Sequence, residues 1–368
     1  MFLSFCKHLD QLDILFHNRL IRNEVFVIAL TIKQIAHMAG VSKATVSRAI
    51  NQPHVVQKET RENIMAIIAK HHYVPSPLAK ALSTGQSNLV GMFLPTLTNS
   101  VFAQMAEGCQ QIFTEHGFNL MVFSDQAKGN PELSILDNID QRQIRGLIIF
   151  GSDFKATKLL DVIEKLSVPT VMLEKMVTDL GCSSVYIDDE QGMRDALDYY
   201  LERGHQHIAV ISGELELLTS KRRISAIQDT LQNPLWQHIS LAIEEAQFSE
   251  MESGRLALHR LMRSSLPPTA ILCLNDLLAL GALKGTHELG LSLPQDLELI
   301  GFDDIPMSRY TTPTLSTLKS PNIEVGRKAA TLLWQHIDDS QKKPEHLLLP
   351  VTLVHRGTTW GNHTLILP

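Results

Sequence analysis

The chain has 368 residues, 44% of them hydrophobic and 20% charged, with a formal net charge of −6. That length exceeds one ordinary core and suits two or three domains, while the composition excludes both a disordered chain and a membrane protein. The four cysteines, Cys6, Cys109, Cys182 and Cys273, stand far apart with no CxxC pair. This argues against a zinc site or a disulfide framework and fits a reducing cytoplasm.

The charge is unevenly spread. Between Thr31 and Gly85 seven basic residues stand against two acidic ones, residues 1–30 balance at three of each, and the rest of the chain carries −11. A basic head on an acidic body points to a polyanionic partner for the head. In the first thirty residues charges interrupt the apolar positions, the longest clean run is "VFVIAL", and no small-residue cleavage site comes after it. The segment is neither a signal peptide nor a membrane span. It reads as a poorly ordered or weakly helical extension, or as the product of a start codon assigned too far upstream.

From Ile32 the apolar positions Ile32, Ile35, Ala36 and Ala39 follow helical spacing, and Gly40 ends that helix. Ser42 is a good N-cap for a second helix, Lys43 to Ile50. Val46, Ala49 and Ile50 share its inner face, which leaves Lys43, Ala44, Ser47 and Arg48 on the other. A third helix, about Glu59 to His71, is expected to bury Ile64, Ile67 and Ile68. Pro75 and Pro77 then break the chain into a linker whose segment Leu78 to Ser83 is too short to be a stable helix alone. Helix, glycine turn and helix with a polar outer face is a helix-turn-helix pattern, and it carries the positive charge that phosphates require.

After Asn88 apolar runs alternate with amphipathic stretches. The predicted strands are "LVGMFLP", "NLMVFS", "GLIIFG", "PTVMLE", "HIAVISG", "TAILCLN" and "LELIGFDD". Near-continuous hydrophobic strands separated by helices predict parallel doubly wound sheets, best divided into two lobes, with ligands at the carboxyl ends of the strands. The paired histidines at 71–72 and the "GHQH" of 204–207 lack a third ligand and read as surface or turn residues, so no metal and no cofactor is expected.

The stretches "TIKQIAHMAGVSKATVSRAIN", "ETRENIMAIIAKHHYVPSPLAKAL", "RGHQHIAVISG", "CLNDLLALGALKGTHELGLSLPQDLELIGFDDIP" and "PTLSTLKSP" resemble the LacI/GalR family of bacterial transcription regulators, from Thr31 to about Trp360. The resemblance implies a dimeric repressor of the cytoplasm, with a body like the periplasmic sugar-binding proteins, that binds a double-stranded DNA operator under the control of a sugar or sugar-acid effector. It divides the chain into an extension (1–30), a helix-turn-helix domain (31–74), a hinge (75–87) and an effector-binding and dimerisation body (88–362). The lobes of the body would be about 88–187 with 320–348, and 188–319 with 349–362. No leucine-rich heptad tail comes after Trp360, which favours a dimer.

Carried onto this chain, the family's base-reading positions are Lys43, Ala44 and Arg48. Thr31, Thr45, Ser47 and Asn51 are backbone-positioning groups, and Leu82 is a minor-groove wedge. Gln57 stands where the family usually has serine or threonine, and it should cap the third helix poorly. Effector contacts are expected from Phe102, Glu174, Arg223, Asn275 and Asp303. Phe102 is equally a core residue, Asn275 and Asp303 can each cap the next helix or loop, and only register favours Arg223 over Arg222. Asn322 falls where relatives vary with their ligand, and "LPTLTNSVFA" resembles members that sense gluconate-like acids. Two other functions compete: a solute-binding protein for a transporter, which leaves the basic head without a use, and a sugar-metabolising enzyme. For the enzyme the sequence offers no nucleophile elbow, phosphate loop or dinucleotide fingerprint.

Overall fold

The computed structural model describes residues 31–71, 73, 87–124, 144–151, 168–173, 181–247 and 250–361, with only the backbone of Asn51. These fall into two compact units, one within Met1–Gly85 and one within Gln86–Pro368. The expectations for residues 1–30, for the linker with Leu82, and for Glu174 lie outside the described residues.

The first unit holds three helices, α1 (Ile32–Ala39), α2 (Lys43–Asn51) and α3 (Lys58–Lys70). Thr31 closes a capping box on α1: its backbone N–H donates to Gln34 Oε1 at 2.8 Å, and its hydroxyl accepts from the Gln34 N–H at 3.4 Å. Gly40 ends α1 in the left-handed region at φ 65°, where a side chain would be strained. Ser42 caps α2, its hydroxyl accepting from the Thr45 N–H at 3.1 Å. Ile35, Val46 and Ile64 are fully buried between the helices, with Ala36 and Ala49 packed beside them. Ile67 and Ile68, expected in the core, are only partly covered because they sit at its edge. Gln57 makes no side-chain cap bond to α3, as its chemistry predicts.

In the second unit, twelve described strands form two six-stranded sheets, the α/β architecture expected. The first sheet contains β1 (Leu89–Leu94), β2 (Asn119–Ser124), β3 (Ile144–Ile149), β4 (Thr170–Met172), β5 (Ser183–Ile187) and β11 (His346–Leu349). Their order is β11-β5-β4-β3-β1-β2, all parallel. The second contains β6 (His207–Ser212), β7 (Ser240–Glu245), β8 (Ala270–Cys273), β9 (Glu298–Asp303), β10 (Ser316–Lys319) and β12 (Thr352–Val354). Their order is β12-β10-β9-β8-β6-β7, with only β12 antiparallel to its neighbour. The seven predicted stretches are all strands. The sequence reading did not anticipate β5, β7, β10, β11 and β12. Of these, β7 and β11 lie on sheet edges with alternating exposure, and β5, β10 and β12 are short and carry serine or threonine.

Helices α4 (Ser100–Glu115) and α9 (Asn322–Asp338) pack on the first sheet, while α5 (Asp189–Glu202), α6 (Leu218–Leu231), α7 (Met251–Met262) and α8 (Asp276–Glu288) belong to the second. The chain passes between lobes after β5, after β10 and between β11 and β12. Residues at these passages and at the strand ends therefore meet between the lobes.

Helices α4 and α9 cross at Gly108 and Gly326, where the backbones touch. A Cβ on Gly326 would stand 2.0 Å from the Met105 carbonyl oxygen, and one on Gly108 would stand 2.1 Å from that of Ile323. Gly326→Ala should push the helices apart and cost about 1–3 kcal/mol, as overpacking does. Thermal melting reads this as a lowered midpoint, and an unchanged midpoint would contradict the close crossing.

Candidate nucleic-acid interface and effector cavity

The outer face of α2 is fixed from within. With Val46 and Ala49 locked into the head core and Ser42 capping the first turn, Lys43, Ala44 and Arg48 are held exposed on one side of the helix. Thr45 is half-buried, its hydroxyl 2.9 Å from that of Ser42, and Ser47 is half-buried too. The Thr31 hydroxyl donates to Gln34 Oε1 at 3.0 Å, so that residue has a capping role whatever else it contacts. After α2 a turn of 3-10 helix, Pro53–Val55, is tied to α3 by Arg61, which donates to the Pro53 carbonyl at 3.1 Å.

The second unit encloses a cavity of about 430 Å³ between its lobes. Three of the predicted effector residues line it: Phe102 from α4, Arg223 from α6 and Asp303 at the end of β9. Asn275 does not. It is buried at the start of α8, where its Oδ1 accepts from the Leu278 N–H at 2.8 Å, the capping role the sequence also allowed. Its Nδ2 is buried without a described partner. Asn322, whose role the sequence left open, lines the cavity at the start of α9, donating through Nδ2 to Gln104 Oε1 at 3.2 Å while its Oδ1 is buried and unpartnered among the described residues.

The sequence reading missed Asp189. It sits where the chain first enters the second lobe, lines the cavity, and accepts from Arg222 at 2.9 Å and Arg223 at 3.1 Å on the same Oδ2. Burial alone would raise its carboxyl, but Arg223 and Arg222 together outweigh that and hold it below the usual carboxylate range. Arg223 also donates to the Leu274 carbonyl at 2.5 Å and lies over the Phe302 ring at 3.7 Å. Of the two adjacent arginines, Arg223 is on the cavity wall.

Asp303 is presented by a strained turn. Asp303 and Asp304 have φ of 113° and 53°, values that cost about 1–3 kcal/mol each in side chains other than glycine. The turn is held by Asp304, which pairs with Arg309 at 2.8 Å and Arg356 at 2.5 Å, and by Asp276 behind it. The Asp276 carboxylate accepts from the Ile305 N–H at 2.9 Å and from the Ser308 and Thr317 hydroxyls, each at 2.6 Å. Burial nevertheless pushes Asp276 up to about 7. Gly301 leaves room for that carboxylate, since a Cβ there would lie 2.2 Å from Asp276 Oδ1. Burial raises the Asp303 carboxyl well above its ordinary value, only partly opposed by Arg223.

The "GHQH" histidines lie elsewhere. His205 meets Thr269 Oγ1 at 2.8 Å and Glu298 Oε1 at 3.1 Å, beside Tyr199 and Arg203, which donate to the same buried carboxylate. Among the described residues no group of histidine, cysteine, aspartate and glutamate is placed to hold a metal ion. No described helix is long and apolar enough to cross a membrane.

Comparison with known proteins adds to this geometry. Residues 31–76 match the bacterial regulatory proteins of the lacI family, and residues 197–359 match the periplasmic binding protein-like domain. The chain is 33% identical over 327 residues to the probable HTH-type transcriptional repressor ExuR of Bacillus subtilis (strain 168), covering 87% of this chain and 95% of that one. It is 30% identical over 337 residues to the ribose operon repressor of Haemophilus influenzae, covering 90% and 99%. Among solved structures, the lac repressor dimer bound to operator and the anti-inducer ONPF superposes with a TM-score of 0.81 at 28% identity, covering 90% of this chain and 99% of that one.

Proposed function

Because the chain belongs to the lacI family of bacterial regulatory proteins and is a DNA-binding transcriptional regulator with an effector-binding body, we propose that it is a cytoplasmic, dimeric repressor, not an enzyme, whose head grips an operator and whose cavity takes a small sugar-like effector. The observation that carries the reading is the α2 face, where a capped and internally locked helix leaves Lys43, Ala44 and Arg48 outward. Such a helix suits the major groove. In this reading Arg48 grips a guanine through O6 and N7, Ala44 meets a thymine methyl, and Lys43 reaches a base edge. Thr31, Thr45, Ser47 and Asn51 set register on the backbone, and Leu82 wedges the minor groove. A solute-binding role leaves this face unexplained.

In the body, Phe102, Arg223 and Asp303 contact the effector, joined by Asn322 and by Asp189 as the positioning partner of Arg223. The resemblance also implies Glu174 and Asn275, of which Asn275, off the cavity wall and capping α8, is left out of the proposed contacts. Polyhydroxylated ligands fit this chemistry, because carboxylates and amides pair with hydroxyls while an aromatic edge covers C–H surface. A ligand that closes the lobes shifts the spacing of the two heads in the dimer, and the coupling is reciprocal between ligand and DNA. Asp303→Asn tests this directly. It should leave operator affinity in fluorescence anisotropy within about twofold and abolish the change that an active member of a panel of pentoses and hexoses produces in the parent protein. A variant that still responds in full would remove Asp303 from the effector site.

A further inference from the structure

The cavity has two unlike walls. On the first-lobe side Val101, Phe102, Met105, Phe150, Leu173 and Val325 form a hydrocarbon patch beside the polar Thr96, Asn99, Tyr186 and Asn322, with Phe102 and Phe150 meeting edge to face at 4.9 Å. On the other side stand the carboxylates of Asp189, Glu214 and Asp303, with Arg223.

The positive charge on that polar wall is balanced by carboxylates. Arg222 and Arg223 share Asp189, and Arg223 is further committed to the Leu274 carbonyl and the Phe302 ring. Asp189 and Glu214 alone balance the two guanidiniums, so no positive surplus is left among the described residues even where burial keeps Asp303 from ionising. The carboxylate of Asp303, a residue 8% exposed, accepts no hydrogen bond from a described residue, although its backbone carbonyl accepts from the Ser320 N–H at 3.4 Å, and the Asn322 Oδ1 is likewise unpartnered among the described residues. Both are acceptors that want donors. A ligand carboxylate supplies none, and it would stand against Asp303 and Glu214, where like charges disfavour ionisation of both. Sugar hydroxyls supply them, and they accept in turn from the N–H groups Arg223 has left. The hydrocarbon wall does the reverse: a hydroxyl pressed against it loses water and gains no partner.

Taking the cavity as the effector site, we infer that the effector is an uncharged sugar carrying an apolar substituent, with hydroxyls toward Asp303 and Asn322 and the substituent against Phe102 and Phe150. Sugar acids, which the "LPTLTNSVFA" stretch suggested, are disfavoured by the charge of the polar wall. Aryl glycosides and nucleosides share the required chemistry.

The test is titration calorimetry on the full chain with matched sets: several free aldoses, their phenyl glycosides, the corresponding nucleosides where they exist, and the aldonic and uronic acids. Operator affinity is measured on the same samples. A phenyl glycoside or a nucleoside should bind at least tenfold tighter than its free sugar, and each acid at least tenfold weaker than its uncharged parent. Whether glycoside or nucleoside binds tighter identifies the source. An acid that binds tighter than its parent, a free sugar that binds tightest, or a panel with no bound member overturns the inference. Specific operator binding in those cases keeps the regulator, whereas loss of operator binding as well would remove the reading on which the inference rests.

Discussion

Arg48→Ala is expected to lower affinity for the preferred operator by one to two orders of magnitude while leaving the melting temperature of the protein unchanged. The size comes from the contact: a guanidinium held on the O6 and N7 of guanine discriminates by about 1–3 kcal/mol, and 1.4 kcal/mol is tenfold in binding. The selectivity of the effect comes from the fold. Arg48 is exposed on α2, while the residues that hold the helix, Ser42, Val46 and Ala49, are untouched. The variant should also tolerate changes at one position of each half-site that the parent protein rejects. Full retention of affinity in anisotropy titrations would remove Arg48 from the reading face.

Asp189→Ala has the largest expected effect on the body. The carboxylate is 2% exposed and serves both Arg222 and Arg223, which are themselves largely buried. Removing it takes from two largely buried guanidiniums the carboxylate they share, and breaking a buried pair from one side costs about 3–5 kcal/mol. Urea denaturation should show this loss in the transition of the body. The pH dependence has a definite sign. Because the arginines hold the folded carboxyl below its unfolded value of about 3.9, its stabilising contribution is fully present above that value and is lost as pH falls through the lower folded value. The gap between parent and variant should therefore be widest near neutrality and narrow below about pH 4. Equal stability of the two proteins at pH 7 would contradict the ion-pair account.

The head was legible in the sequence because its determinants are local. Thr31, Gly40 and Ser42 each act within a few residues of where they stand, and the helical period sorts Val46 and Ala49 from Lys43 and Arg48. The central strands were legible from their continuous apolar runs, whereas edge strands such as β7 and β11 carry too little buried surface to announce themselves. In the cavity, Phe102, Arg223 and Asp303 were expected from the family resemblance, with strand ends supporting all but Arg223, and all three line it. Asp189 was missed because its partners lie more than thirty residues later and meet it only after the chain has passed between the lobes. Its one local signal was an acidic pair at the start of the helix "DEQGMRDALDYYLE", which reads equally as an N-terminal cap. Asn275 shows the converse: an asparagine just before a helix is first a cap, and that local role is the one its Oδ1 fulfils.

The most direct test of the central claim, that one chain reads a DNA sequence and reports a ligand, is a selection of duplexes from a random pool by the purified protein. The winner would then be titrated by anisotropy at 50 and 200 mM salt, with and without the phenyl glycosides and free sugars. The account predicts an enriched, two-fold symmetric duplex, affinity that falls steeply between the two salt concentrations, and at least one compound that changes the affinity. A pool from which no sequence is enriched, bound with the same affinity as random DNA, would contradict it.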